Sequence, residues 1–163
     1  MKKIAFVMAL VWIGCLSCFA EPVKNVSSEE AFEMVRQPDT FLIDVRSVAE
    51  YVFVGHPEMA YNIPLMFWNE TGANMESNSE FVQDLEGRFQ KSARLIFICR
   101  SGGRSASAAR MAQKAGFTEV FNIEKGFEGE KNSDGYRTVN GWKNSRLPYT
   151  YSLKSKLRYT RRK

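Results

Sequence analysis

Leu95-Ile96-Phe97-Ile98-Cys99-Arg100-Ser101-Gly102-Gly103-Arg104-Ser105 is the stretch on which the reading of this chain turns. Four consecutive apolar residues suit a short strand buried on both faces. Beyond the glycines, Arg104 to Ala115 follows an Ala-rich helical pattern, closed by Gly116 as a C-terminal stop. Cys99 therefore falls at the end of a strand, on a tight glycine turn, at the start of a helix. That context suits a nucleophile better than a core residue.

The same alternation extends outward. Ser27-Ser28-Glu29-Glu30 has capping-box spacing and predicts a helix to about Arg36, before Pro38. Thr40 to Val45 reads as a buried strand that delivers Asp44 and Arg46 at its C-terminal end. Ser47 and Glu50 repeat the capping-box spacing for a short helix, and Gly55-His56-Pro57 marks a loop. Tyr61 to Ile63 is a short strand stopped by Pro64. Phe67 to Ser79 is polar and lacks periodicity; it is read as a long loop bordering the site. Phe81, Val82, Leu85 and Phe89 make a helical face, Glu119 to Ile123 a further strand, and Gly126-Phe127 the start of a short helix. Asn132 to Asn140 is read as a surface loop, with Trp142, Leu147 and Pro148 packing the end of the domain onto its body.

Strands alternating with helices predict an α/β fold: a mostly parallel five-stranded sheet with helices on both faces. Right-handed crossovers bring strand C-termini to one rim. Asp44, Arg46 and Cys99 should share it.

Length and charge bound the rest. Met1-Lys2-Lys3, the apolar run Ile4 to Leu16 and Cys18-Phe19-Ala20 predict an export signal over 1–20, cleaved before Glu21. Periplasmic delivery is expected, with lipid anchoring through Cys15 or Cys18 as the alternative. Residues 21–150 make one domain and 151–163 a basic tail, read as solvated. The chain carries 23 Lys and Arg against 18 Asp and Glu, yet Glu21 to Leu153 holds 15 basic and 18 acidic residues. The excess positive charge thus belongs to the ends, where the tail is suited to an anionic surface. Nothing points to nucleic-acid reading, and a monomer is the default. After cleavage Cys99 is the sole thiol, so no intramolecular disulfide competes for it. One histidine, His56, and no cluster of metal-ligand spacing leave no metal or cofactor to expect.

These features resemble the rhodanese-like sulfurtransferases, whose active loop is Cys-x4-Arg between strand and helix: here Cys99 and Arg104. Leu42-Ile43-Asp44-Val45-Arg46, Gly55-His56-Pro57 with Ala60-Tyr61-Asn62-Ile63-Pro64, Ala115-Gly116-Phe117, Val120-Phe121-Asn122-Ile123 with Gly126-Phe127, and Gly141-Trp142 with Leu147-Pro148 are similar to further family motifs. They cover about Val26 to Pro148. Glu58-Met59 and the polar stretch before Glu80 depart from the pattern.

The resemblance implies that Cys99 takes a sulfane sulfur from thiosulfate or a similar donor and passes it, as a persulfide, to cyanide or a thiol, including a thiol on a protein. The physics fits. A thiolate is the attacking species, favoured by a helix N-terminus, converging amides and nearby cations. Gly102 and Gly103 permit the turn; Arg100 meets the incoming anion; Arg104 orients the loop or holds that anion. Ser101 and Ser105 donate to the bound sulfur or cap the helix, the cap being assigned to Ser105. Asp44 and Arg46 brace the loop, with an exposed ion pair as the alternative, and His56 steadies its own loop. A non-enzymatic persulfide carrier is the rival reading. A phosphatase or arsenate reductase of the same fold is remote, since phosphatases of this fold use a loop one residue longer.

Overall fold

A computed structural model describes residues 22–160; the expected export signal and the last three residues lie outside them. In chain order the elements are β1 (Lys24–Val26), α1 (Ser28–Met34), β2 (Thr40–Asp44), α2 (Val48–Phe53), β3 (His56–Pro57), β4 (Tyr61–Asn62), β5 (Met66–Trp68), β6 (Met75–Ser77), α3 (Phe81–Glu86), β7 (Arg94–Ile98), α4 (Gly103–Lys114), β8 (Glu119–Ile123) and β9 (Tyr149–Thr150). Five strands form one sheet in the order β1-β8-β7-β2-β4. Every pairing in it is parallel.

The apolar runs are uninterrupted because both faces are covered. On one face Ile43, Leu95 and Phe97 pack with Phe81 and Leu85 of α3 and Ala108, Ala109 and Ala112 of α4. On the other, Leu42, Ile96 and Ile98 pack with Ala31 of α1, Tyr51 of α2 and Trp142. The alanines of α4 let that helix lie close to the sheet. Each large side chain removed from water contributes about 1.5–3 kcal/mol relative to exposure.

Register sets the rim. Asp44 is level with Ile98, and the Val45 amide donates to the Ile98 carbonyl at 2.9 Å. Asp44, Arg46 and Cys99 therefore share the C-terminal rim of the sheet, Cys99 packing on the α3–α4 face and Arg46 against Phe127 on the other. Ser27 and Ser47 each close a capping box with Glu30 and Glu50, which starts α1 and α2 where the spacing requires.

Three expectations are corrected. Residues 67–79 are not an irregular loop: β5 and β6 form an antiparallel hairpin. Its turn is organised by one side chain, since Asn69 Oδ1 accepts from the amides of Ala73 and Asn74 at 3.1 and 3.3 Å. Strands of three residues are too short to display a period. Gly126-Phe127 opens a turn and not a helix, because the amides of Phe127, Glu128 and Gly129 donate back to the carbonyls of Cys99 and Arg100. The tail is not simply solvated either. Leu157 is buried, its carbonyl accepts from the Asn62 amide at 2.7 Å, and Tyr159 lies against Phe67. Lys154, Lys156 and Arg158 face out around that anchor.

Candidate active site

Cys99 leaves β7 with its side chain only 1% exposed. Its Sγ accepts from the Gly102 amide at 3.2 Å and lies 3.3 Å from Ser105 Oγ. Ser105 also donates to the Gly102 carbonyl, at 2.9 Å. Its single hydroxyl proton thus has two acceptors, and an anionic sulfur would compete for it. Ser105 supports the sulfur from below and does not cap α4; the N-cap position is Gly102.

The loop owes its shape to carbonyls pulled outward. Cys99 O accepts from Phe127 N at 2.7 Å, and Arg100 O from Glu128 N at 2.9 Å. Two glycines allow this. Gly102 sits at φ +96°, and a Cβ there would lie 1.8 Å from the Glu124 carbonyl oxygen. Gly126 backs onto the loop so closely that a Cβ would lie 2.5 Å from Cys99 O and 2.7 Å from Ser101 N. Gly103, by contrast, faces open space and carries no such constraint. The two loop glycines therefore do different things.

Arg104 is turned away from free anion binding. Its Nη1 and Nη2 donate to Glu50 Oε2 and Oε1 at 2.8 and 2.6 Å. Such a fork is a strong, orienting contact. Burial would raise the Glu50 carboxyl, but the Arg104 fork and the Ser47 hydrogen bonds outweigh it and hold the group at about 2. Arg104 is itself raised; burial works against the charge and Glu50 restores it. Arg100 and Ser101 are exposed at the mouth.

Behind the loop, Asp44 and Arg46 are both fully buried, not a surface pair. Arg46 Nη2 donates to Asp44 Oδ2 at 2.6 Å and to the Gly55 carbonyl at 2.7 Å. Its Nη1 makes no hydrogen bond, and the guanidinium carbon lies 4.3 Å from the centre of the Phe127 ring. Burial would drive the Arg46 charge out; Asp44 reverses the balance and raises the group. Because Phe127 N donates to Cys99 O, this pair reaches the loop through one residue. His56 is elsewhere: it stacks on Tyr51 at 3.5 Å, with Nδ1 donating to the Tyr51 carbonyl at 2.9 Å. Burial lowers its pKa, opposed by that hydrogen bond. It holds the α2–β3 corner.

A cavity of about 380 Å³ opens over Cys99, lined by Glu50, Trp68, Met75, Arg100, Ser101, Gly103 and Arg104 as well. Trp68 and Met75 come from the hairpin. A groove of similar size, about 370 Å³, is lined by Phe41, Tyr61, Lys154, Lys156 and Leu157 among others, and holds no thiol. Sequence reasoning missed Glu50, Trp68, Met75 and Phe127 as site residues. Glu50 was legible only as a helix cap; a large aromatic at Trp68 within a polar stretch was the available signal for the hairpin.

The family model of the rhodanese-like domain matches residues 27–133. The chain belongs to the rhodanese-like family. An uncharacterized Rickettsia rickettsii protein, the RP600 homolog, is 33% identical over 132 residues, covering 79% of this chain and 98% of its own length. The crystal structure of Rv0390 from M. tuberculosis superposes with a TM-score of 0.71 at 32% identity, covering 81% of this chain and 100% of that one. Thiosulfate sulfurtransferase 16 of Arabidopsis thaliana, a chloroplastic protein, is 36% identical over 85 residues, covering 52% of this chain and 68% of its own. The rhodanese-like match stops before Trp142, yet that residue is fully buried and its Nε1 donates to the Pro148 carbonyl at 3.0 Å. The rhodanese-like fold of this chain thus continues past the matched span.

Proposed function

We propose that this protein is a sulfurtransferase that carries sulfane sulfur on Cys99. The Cys99 thiolate attacks the outer sulfur of thiosulfate. A Cys99 S–S bond forms, the donor S–S bond breaks, and sulfite leaves with the bonding electron pair. The negative charge passes to the outer sulfur of the persulfide, while the inner sulfur keeps its contacts with the Gly102 amide and Ser105 hydroxyl. An acceptor thiolate or cyanide then attacks the outer sulfur, and Cys99 leaves as thiolate. No proton need move in either step, so no general base is required. The name of the Arabidopsis relative supports thiosulfate as the donor to try first.

The observation that carries this reading is the Cys99 sulfur itself: buried, hydrogen-bonded to a loop amide, and at the floor of a cavity with Arg100 at its mouth. The test is steady-state thiocyanate formation from thiosulfate and cyanide. Parallel double-reciprocal lines and complete loss in Cys99→Ser are expected. A single stoichiometric burst without turnover would instead mark a persulfide carrier that needs a docked partner. Hydrolysis of a phosphate ester without any persulfide would overturn both. Export through residues 1–20 is part of the same proposal and is checked by fractionating cells and sequencing the mature N-terminus.

A further inference from the structure

The sulfur acceptor is where the cavity is most particular. Its charged lining is Glu50, Arg100 and Arg104, a net of one positive charge. Because Glu50 takes both arms of Arg104, a persulfide anion on Cys99 brings the total to neutral. The same sum holds for the Cys99 thiolate that meets thiosulfate, so a preference among acceptors comes from the apolar wall and not from the field. The opposite wall is apolar. Trp68 and Met75 are directly paired across β5 and β6, which sets their side chains next to each other. Trp68 is 47% exposed, so its ring has face to offer. The hairpin is held: Asn78 donates through its amide to the Leu65 carbonyl and through Nδ2 to the Pro64 carbonyl, both at 2.9 Å, and Phe67 packs on Tyr159.

We propose that Trp68 and Met75 select the acceptor as an organic thiol bearing an apolar group, in preference to small or anionic acceptors. This rests on the sulfurtransferase reading above. In the transfer step the acceptor thiolate attacks the outer persulfide sulfur. A carbon-borne S–S bond forms, the Cys99 S–S bond breaks, and its electron pair returns to Cys99 as thiolate. The acceptor leaves as an organic persulfide, its apolar group having lain along the Trp68 ring. Trp68 and Met75 touch the acceptor body and not the reacting atoms, so they determine specificity only.

The test compares phenylmethanethiol with 2-mercaptoethanesulfonate as acceptors for the thiosulfate-loaded full chain. Each kcat/KM is divided by that thiol's rate with free glutathione persulfide, to remove intrinsic nucleophilicity. The expected ratio favours phenylmethanethiol by about tenfold or more, the scale of a few buried apolar carbons. Trp68→Ala should bring the ratio near one, Trp68→Phe should restore most of it, and Glu50→Gln should lower it by favouring the sulfonate. Met75→Ala, expected to lower the ratio, serves where Trp68→Ala fails to load. A loaded protein with a ratio of one or below, or a ratio untouched by both hairpin substitutions, overturns the selection alone. Failure of thiosulfate to load Cys99 at all overturns the sulfurtransferase reading and this proposal with it.

Discussion

Two regions meet over the same cavity and are built on opposite principles. The Cys99–Ser105 loop is fixed by backbone: its first two carbonyls are taken by the 127–129 amides, and Gly102 and Gly126 are packed to the point where a Cβ has no room. The Met66–Ser77 hairpin adds side-chain ties to its own strand pairing: Asn69 at its turn, Asn78 at its base and Tyr159 at its flank. The first arrangement leaves no room for a side chain at Gly102 or Gly126. The second can exchange residues while keeping its path. On the proposals above, the chemistry lies on the rigid half and the selectivity on the adaptable half.

That contrast can be broken from the rigid side first. Asp44→Asn leaves the Arg46 guanidinium buried without its counter-charge, and should destabilise the domain by about 3–5 kcal/mol. Urea denaturation measures this; a loss under 1 kcal/mol would mean the pair does not brace the loop. Gly102→Ala should slow persulfide formation by about a hundredfold, as expected when reacting groups shift by an ångström. Stopped-flow loading with thiosulfate is the measurement, and near-normal loading would remove the backbone argument.

Acid sharpens the comparison further. Glu50 is held at about 2 against an ordinary 4.5. Its folded-state pKa lies below the unfolded one, so its stabilisation is present above pH 4.5 and is lost as pH falls through about 2. Urea midpoints between pH 6 and pH 2 should fall more steeply in the unsubstituted protein than in Glu50→Gln. Parallel curves would contradict the Arg104 pairing. The smallest effect is expected in the hairpin: Asn69→Ala should cost about 1 kcal/mol through its lost turn hydrogen bonds. Loading of Cys99 should change far less than in Gly102→Ala.

Legibility followed the same division. The strand–loop–helix unit could be read from sequence because uninterrupted apolar residues, two glycines and an Ala-rich helix each state their conformation locally. The capping boxes at Ser27 and Ser47 did the same for α1 and α2. Which of its two expected roles each of Arg104 and Ser105 takes could not be read. Whether a guanidinium meets substrate or a carboxylate depends on Glu50, 54 residues away in sequence. The hairpin was invisible for a related reason. Its strands have three residues each, and its turn and flank depend on Asn69 and on packing against Tyr159. Gly126-Phe127 has the look of a helix start, but its amides are claimed by the Cys99 loop. Tertiary partners decided each of these.

The central claim is that the Cys99 sulfur, seated among the Gly102 amide and Ser105 hydroxyl, accepts and holds one sulfane atom. Peptide mass spectrometry after thiosulfate treatment and rapid alkylation tests it most directly. The account predicts that the Cys99 peptide gains the mass of one sulfur, released by cyanide, with no gain in Cys99→Ser. An unmodified Cys99 peptide from folded protein at neutral pH would contradict it.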